Sequence, residues 1–243
     1  MSKTKSEDFS KIIGQEHVKR AIEISVAGRH SLLIIGTKGS GATTMIASVG
    51  SLMDNTTFVN PLSSKADLVR AVKNRSNILV DDLHNYPATI LKLLQYAKGE
   101  CYMVAATLTC PCGHYNDPTT PCMCTVSKIL KFRQAIPVDA FDIIIEMVSP
   151  RTHDLSRVYC GETSGDVSSR IKAMSHHTSM ELDEPSKSLL DSAVERLGIT
   201  VKTYETIKRI ARTIANLDSS IPIKAQHIAE AIQYRVSFET VQL

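Results

Sequence analysis

The chain of 243 residues holds 43% apolar, 22% charged and only 5% aromatic residues, a balance too apolar for a disordered polypeptide and a length suited to one or two compact domains. Its 28 basic and 25 acidic residues leave a formal charge of +3, too small a surplus to serve alone as an electrostatic footprint for nucleic acid. The longest apolar run, around Leu32 to Ile35, is far below the roughly 18 residues that a membrane span needs. Met1 to Asp8 has no apolar stretch of the secretory kind. The expectation is a cytoplasmic protein with no membrane partner. In that reducing setting six cysteines, four of them within residues 110–124, point to a metal rather than a disulfide framework.

In chain order, Gln15 to Ala27 places Val18, Ala21, Ile22 and Ile24 at helical spacing until Gly28 interrupts it. Ser31 to Ile35 is an unbroken apolar run closed by Gly36, which fits a strand buried on both faces. A glycine-rich turn and a helical pattern over Thr43 to Leu52 follow. Helical patterns at Lys65 to Val72 and Ala88 to Ala97 then alternate with apolar runs at Asn77 to Val80 and Cys101 to Thr107, and Phe141 to Val148 reads as one more strand. This alternation predicts an α/β fold with a parallel sheet flanked by helices. After Pro150 the strand pattern stops, and residues 166–175, 185–197, 201–217 and 225–236 read as helices. The predicted organisation is an α/β domain over residues 1–150, carrying a cysteine loop at 110–124, and an all-helical lid domain over 151–243.

Gly36-Thr37-Lys38-Gly39-Ser40-Gly41-Ala42-Thr43 lies between a predicted strand and a predicted helix, followed by Thr44. That is the setting of a phosphate-binding loop, G-x-x-x-x-G-K-[ST], in which glycines let backbone N–H groups turn onto phosphates and the lysine reaches the β and γ oxygens. Ala42 stands at the lysine position. The amide nest and the Thr43 hydroxyl, a ligand type for Mg²⁺, are retained; Lys38, earlier in the loop, could swing in as a substitute cation, the competing reading being a solvated lysine at the loop tip. Ile78-Leu79-Val80-Asp81-Asp82 has the form of the strand-borne acidic pair that holds Mg²⁺ and polarises the attacking water; a plain acidic turn is the competing reading. Asp82 is one methylene shorter than the usual glutamate.

Cys110, Cys112, Cys122 and Cys124 form C-x-C-x₉-C-x-C around a turn rich in glycine, asparagine, aspartate and proline. Four thiols in that pattern suit tetrahedral Zn²⁺, with an iron–sulfur cluster and four free thiols as the alternatives. Neighbouring His114 could replace one sulfur. Cys101 reads as a core residue and Cys160 as an incidental thiol. His176-His177 reads as a pair complementing a helix C-terminus. Lys202, Arg209 and Arg212 share a predicted helical face that could touch phosphates or simply be solvated.

Ile13-Gly14-Gln15-Glu16-His17-Val18-Lys19-Arg20-Ala21, the glycine loop, Cys110-Pro111-Cys112-Gly113, Pro121-Cys122-Met123-Cys124-Thr125 and His227-Ile228-Ala229-Glu230-Ala231-Ile232-Gln233-Tyr234-Arg235 follow one another as in the ComM (YifB) branch of magnesium-chelatase-like AAA+ proteins. The chain resembles that family over nearly its whole length. The resemblance implies a P-loop AAA+ core with a helical lid, ATP or ADP with Mg²⁺ as ligands, ring assembly and a role as a DNA motor in natural transformation. Members carry a Lon-protease-like domain ahead of the core, whereas this chain begins close to Gly14-Gln15.

Against the family pattern, the polar sensor at the end of the fourth core strand aligns with Leu108. The D-R-[IF]-D arginine-finger element reads Asp139-Ala140-Phe141-Asp142, and the lid arginine reads Lys202. The chain is also short between Asn60 and Asn77, where members carry an Arg-Ala-Pro-His-His segment and a pore-facing insertion. The expected protein is a degenerate ComM-like AAA+ chain with weak or no ATP hydrolysis, acting as a binding or regulatory partner. Gly36, Lys38, Gly39, Ser40, Gly41, Ala42, Thr43, Thr44, Asp81 and Lys202 are its candidate nucleotide residues, and Asp81 and Asp82 its catalytic pair if it is active. Homo- or hetero-oligomeric rings and DNA are the expected partners. The alternatives are an active ATP-dependent DNA motor and a zinc-stabilised structural module without nucleotide.

Overall fold

In the computed structural model, which describes residues 7–60, 63, 65–149 and 161–239, five short strands form one parallel sheet. They are β1 Leu32–Gly36, β2 Thr56–Val59, β3 Asn77–Val80, β4 Met103–Leu108 and β5 Ile143–Met147, in the order β2-β3-β4-β1-β5. Between and after them run α1 Glu16–Gly28, α2 Ala42–Val49, α3 Lys65–Lys73, α4 Ala88–Tyr96, α5 Val126–Gln134, α6 Ser164–Ala173, α7 Glu184–Leu197, α8 Val201–Leu217 and α9 Ala225–Glu239. The central strand β1 sits between β4 and β5 in a register that sets Gly36 level with Leu108 and Met147. These are the layers and strand order of an AAA+ α/β core.

A parallel strand buried on both faces alternates its side chains between two cores. Leu32 and Ile34 join α1, α2 and the C-terminal helices on one face, while Leu33 and Ile35 meet residues of α3 and α4 on the other. Among the described residues the C-terminal helices share their apolar cluster with the sheet, Leu190, Ile207, Ile214 and Ile228 belonging to the same cluster as Val18, Ile22 and Ile34. Local signals start those helices: Thr163 and Asp166 form a capping box at α6, Asp183 accepts from the Ser186 amide ahead of α7, and Thr200 accepts from the Thr203 amide ahead of α8. Among the described residues no helix is long and apolar enough to cross a membrane.

Two elements, β2 and α5, have no counterpart in the sequence prediction. Strand β2 is an edge strand whose first three residues are only partly buried, so it lacks a continuous apolar run. Helix α5 buries only Ile129 and Arg133, too few positions to produce a helical period. Its start is nevertheless marked by Thr125, whose side chain accepts from the Lys128 amide.

Candidate functional site: a glycine loop and a four-thiol loop

The C-terminal end of β1 opens into the glycine loop, which turns into α2. Gly39 and Gly41 adopt φ of +82° and +90°, values that side chains resist. Gly36 is required by contact: a Cβ there would stand 2.6 Å from Ser40 Oγ and 3.1 Å from the Ala42 Cβ. Gly41 precedes α2 and no side chain caps the helix, so the first-turn amides of Ala42, Thr43 and Thr44 lack intrahelical acceptors and face outward with the positive end of the helix. Thr43 and Thr44 are exposed, and Lys38 is exposed at the loop tip. Ser40 is buried, with its Oγ in no hydrogen bond.

The acidic pair lies where β3 ends, next to this loop. Thr43 Oγ1 donates to Asp81 Oδ1 at 3.2 Å, and the Asp82 amide donates to the same oxygen at 3.0 Å. Burial, reinforced by the Asp82 charge and opposed by the Thr43 hydrogen bond, raises the Asp81 carboxyl above the ordinary carboxylate range. Asp82 itself takes a left-handed backbone, φ 48°. Burial pushes the His84 imidazole down in spite of both carboxylates. Thr43, Asp81 and Asp82 thus stand together beside the glycine loop.

The residues that hold the loop carried weaker signals. The Thr37 amide donates to Met147 O at 3.0 Å, and the Ser149 amide donates to Thr37 Oγ1 at 2.9 Å. Gln15 Nε2 donates to Val148 O at 2.7 Å, tying the Gly14-Gln15 motif to the exit of β5. On the other side the Lys38 amide donates to Gly113 O at 2.8 Å. Each of these joins residues more than 70 positions apart, so spacing carries no trace of them.

The four-thiol loop begins directly after β4. Cys110 is buried and Cys112, Cys122 and Cys124 are half-buried. Their four Sγ atoms lie within 4.8 Å of one another, with Cys110–Cys112 at 3.4 Å, Cys112–Cys122 at 3.6 Å and Cys110–Cys122 at 3.7 Å. Four sulfurs bound at about 2.3 Å to one tetrahedral ion stand about 3.8 Å apart. The three printed separations match that spacing and Cys124 Sγ lies within 4.8 Å of the others, so the donor set suits a single thiolate-bound ion. Amides support the sulfurs: Cys124 N–H points at Cys122 Sγ at 3.4 Å. Burial acts to push the Cys112 thiol up, yet the His114 and Met123 amides draw it down to about 6, while burial and the neighbouring thiols push Cys122 up to about 12. His114 turns to Asp117 at 3.1 Å rather than to the sulfurs. Cys101 is buried in the second core, and Cys160 lies outside the described residues.

Other predicted residues fall elsewhere. Leu108 ends β4 level with Gly36 and offers no polar atom there. Ala140 is 1% exposed, packed in the core beneath β5. Lys202 does not reach the glycine loop of its own chain. Its charge bears on Lys98, which pairs with Asp142 at 3.2 Å, and Asp142 precedes β5 at the strand ends opposite the loop. The length of β1, about 13 Å at 3.3 Å per residue, separates the two ends. Arg209 joins that cluster at 3.5 Å from Asp142. Arg212 leaves the expected solvated face altogether, being buried and donating to Ile221 O and Ser220 O at 2.6 Å and to Asn216 Oδ1 at 3.0 Å. The helical period placed these cations on one stripe, but the loop before α9 covers Arg212. His176 and His177 follow α6, which already ends at Ala173, so they lie beyond the last turn in which a dipole acts.

The profile of the family described as Magnesium chelatase, subunit ChlI matches residues 8–80 and 87–155, and its C-terminal counterpart matches 148–235. The chain belongs to this magnesium chelatase ChlI family. It is 25% identical to "Uncharacterized protein YifB" of Escherichia coli (strain K12) over 97% of this chain and 62% of the relative. It is 24% identical to "Competence protein ComM" of Haemophilus influenzae over 97% of this chain and 61% of the relative. The chain therefore spans about three fifths of the length of these relatives. The alignment to YifB runs over 313 positions against 243 residues here, so the relative carries internal segments that this chain lacks.

Proposed function

We propose that this chain is a ComM-like AAA+ protein that keeps the frame of a nucleotide site, hydrolyses ATP weakly or not at all, and acts as a binding or regulatory partner in an AAA+ ring engaged in DNA processing. The observation that carries the reading is the glycine loop itself. Gly36, Gly39 and Gly41 hold an open helix N-terminus beside Thr43 and Asp81, while the lysine position is Ala42 and the finger position is Ala140, 1% exposed. A lost charge-assisted hydrogen bond costs about 1.5–3 kcal/mol, or roughly one to two orders of magnitude in affinity. An absent arginine finger costs about 10³–10⁵ in turnover. Binding is weakened and hydrolysis is nearly removed. With Leu108 in place of a polar sensor, ATP and ADP bind about equally, within roughly tenfold of each other. The DNA role is supported by the Haemophilus relative's name as a competence protein, and the ring by the AAA+ strand order of the core.

Cys110, Cys112, Cys122 and Cys124 hold one structural Zn²⁺ in this reading. All four positions are thiolate, so the ion has no open place for a reacting water. The test is turnover measured with and without DNA, beside calorimetric titration with ATP, ADP and Mg²⁺ and elemental analysis of protein purified without chelator. Background turnover, weak binding and about one zinc per chain are expected. Robust hydrolysis that disappears in Asp81→Ala would overturn the reading in favour of an active motor, and no binding of either nucleotide would leave only a zinc-stabilised module.

A further inference from the structure

The thiol loop and the glycine loop touch. The turn from Cys110 to Gly113 closes on itself through Gly113 N–H to Cys110 O at 3.0 Å, and the Gly113 carbonyl then accepts the Lys38 amide at 2.8 Å. The approach is too close for any side chain: a Cβ on Gly113 would stand 2.8 Å from the Lys38 Cβ and 3.4 Å from both Lys38 N and Leu108 Cδ2, and its φ is +82°. Just before the turn, the Thr109 amide donates to Gly36 O at 3.2 Å. The glycine loop is thus gripped on this side by the backbone of residues 109–113, which contain Cys110 and Cys112.

Besides the thiols, that backbone is held by local polar contacts: His114 Nδ1 meets Asp117 Oδ2 at 3.1 Å, Asp117 Oδ1 accepts from the Thr119 and Thr120 amides, and the Arg133 guanidinium stands 4.9 Å over the Tyr115 ring. Residues 111–125 contain no helix or strand, and Met123, the bulky apolar residue between two cysteines, is 86% exposed. Such a segment has almost no core to oppose its conformational entropy, so an ion joining Cys110 and Cys112 to Cys122 and Cys124 becomes the constraint that ties its two ends together.

We propose that metal occupancy of the cysteine site latches the glycine loop through Gly113, so that the loaded loop is pre-organised for a phosphate-bearing ligand and the metal-free loop is not. This rests on the reading of the four thiols as a metal site. By linkage, a nucleotide that binds the latched loop raises metal affinity by the same factor as metal raises nucleotide affinity.

The direct readout is hydrogen exchange at the Lys38 amide, which needs neither turnover nor bound nucleotide. It is compared in the zinc-loaded chain and after zinc is stripped with a chelator, with the Ile34 amide in the sheet as control. Stripping should speed exchange at Lys38 by about tenfold or more and leave Ile34 within about twofold. Gly113→Ala retains all four thiols and should still bind one zinc, yet show the same fast exchange at Lys38 and a weaker titration with ADP. If that variant does not fold, the chelation comparison on the unaltered chain decides alone. A zinc-loaded chain whose Lys38 protection survives stripping overturns the latch and leaves the metal site standing. A chain that takes up no zinc, with Lys38 fully protected, overturns both.

Discussion

Ala42→Lys returns to the glycine loop the cation that its pattern lacks. Ala42 opens α2 after the left-handed Gly41, and its Cβ lies 3.1 Å from where a Cβ on Gly36 would stand, so its side chain points across the turn of the loop. Nothing stands within 4 Å of a Cβ built at Gly39, so the tip of the loop is open. A recovered charge-assisted hydrogen bond is worth about 1.5–3 kcal/mol, so affinity for ADP and ATP with Mg²⁺ should rise between about tenfold and 150-fold. Without nucleotide the new charge sits at the positive end of a helix and costs about 0.3–1 kcal/mol. The free variant should therefore melt slightly lower than the parent and the nucleotide-bound variant higher. Calorimetric titration and thermal unfolding measure both signs. Turnover should remain at background, because Ala140 stays buried and Leu108 stays apolar. A folded variant with unchanged affinity would refute the loop's assignment as a phosphate site, and a variant that hydrolyses ATP would refute the argument from the missing finger.

Arg212→Met removes the donors that satisfy Ser220 O, Ile221 O and Asn216 Oδ1; with about 1–3 kcal/mol for each buried group left unsatisfied, partly relieved by water, a loss of about 3 kcal/mol is expected. That corresponds to a melting point lower by about 6–12 °C with nucleotide affinity unchanged, and a variant that melts with the parent would refute it. Burial holds the His30 imidazole, which meets Thr213 Oγ1 at 2.8 Å and lies near Asp142 and Arg209, down at about 4. The unfolded chain therefore takes up this proton first, and stability falls as pH drops from about 6.5 toward 4, by on the order of 2 kcal/mol at pH 5. His30→Gln should flatten the difference between urea midpoints at pH 7 and pH 5; an unchanged difference would refute the buried neutral imidazole. Asp81, raised by burial and by Asp82, binds its proton more tightly folded than unfolded, so its ionisation costs stability as pH rises through that range. Asp81→Asn should raise the melting point at pH 7, more than at pH 4, and remove the Mg²⁺ dependence of nucleotide binding, as read by thermal unfolding and calorimetry.

The sequence by itself determined what short-range pattern can encode. The apolar run of β1, the run of β3 that the structure places at Asn77–Val80 and the period of α8 at Val201–Leu217 follow from burial on two faces or on one stripe. The glycine spacing of residues 36–43 reflects a turn with positive φ at Gly39 and Gly41 and a close contact at Gly36. The two C-x-C pairs bring four thiols to within 4.8 Å, because close spacing and one reversing loop suffice. What the tertiary structure alone decided depends on partners far away in the chain. Edge position deprived β2 of an apolar signal, and a half-exposed site did the same for α5. Arg212 looked like a member of a cationic stripe until the loop before α9 folded over it, and Lys202 looked like a nucleotide contact until α8 packed at the strand ends opposite the loop. The grip of Gly113 on Lys38 is the clearest case, since it joins residues 75 positions apart. A hydrogen bond between two backbone atoms leaves no mark on side-chain chemistry beyond the glycine that its closeness requires.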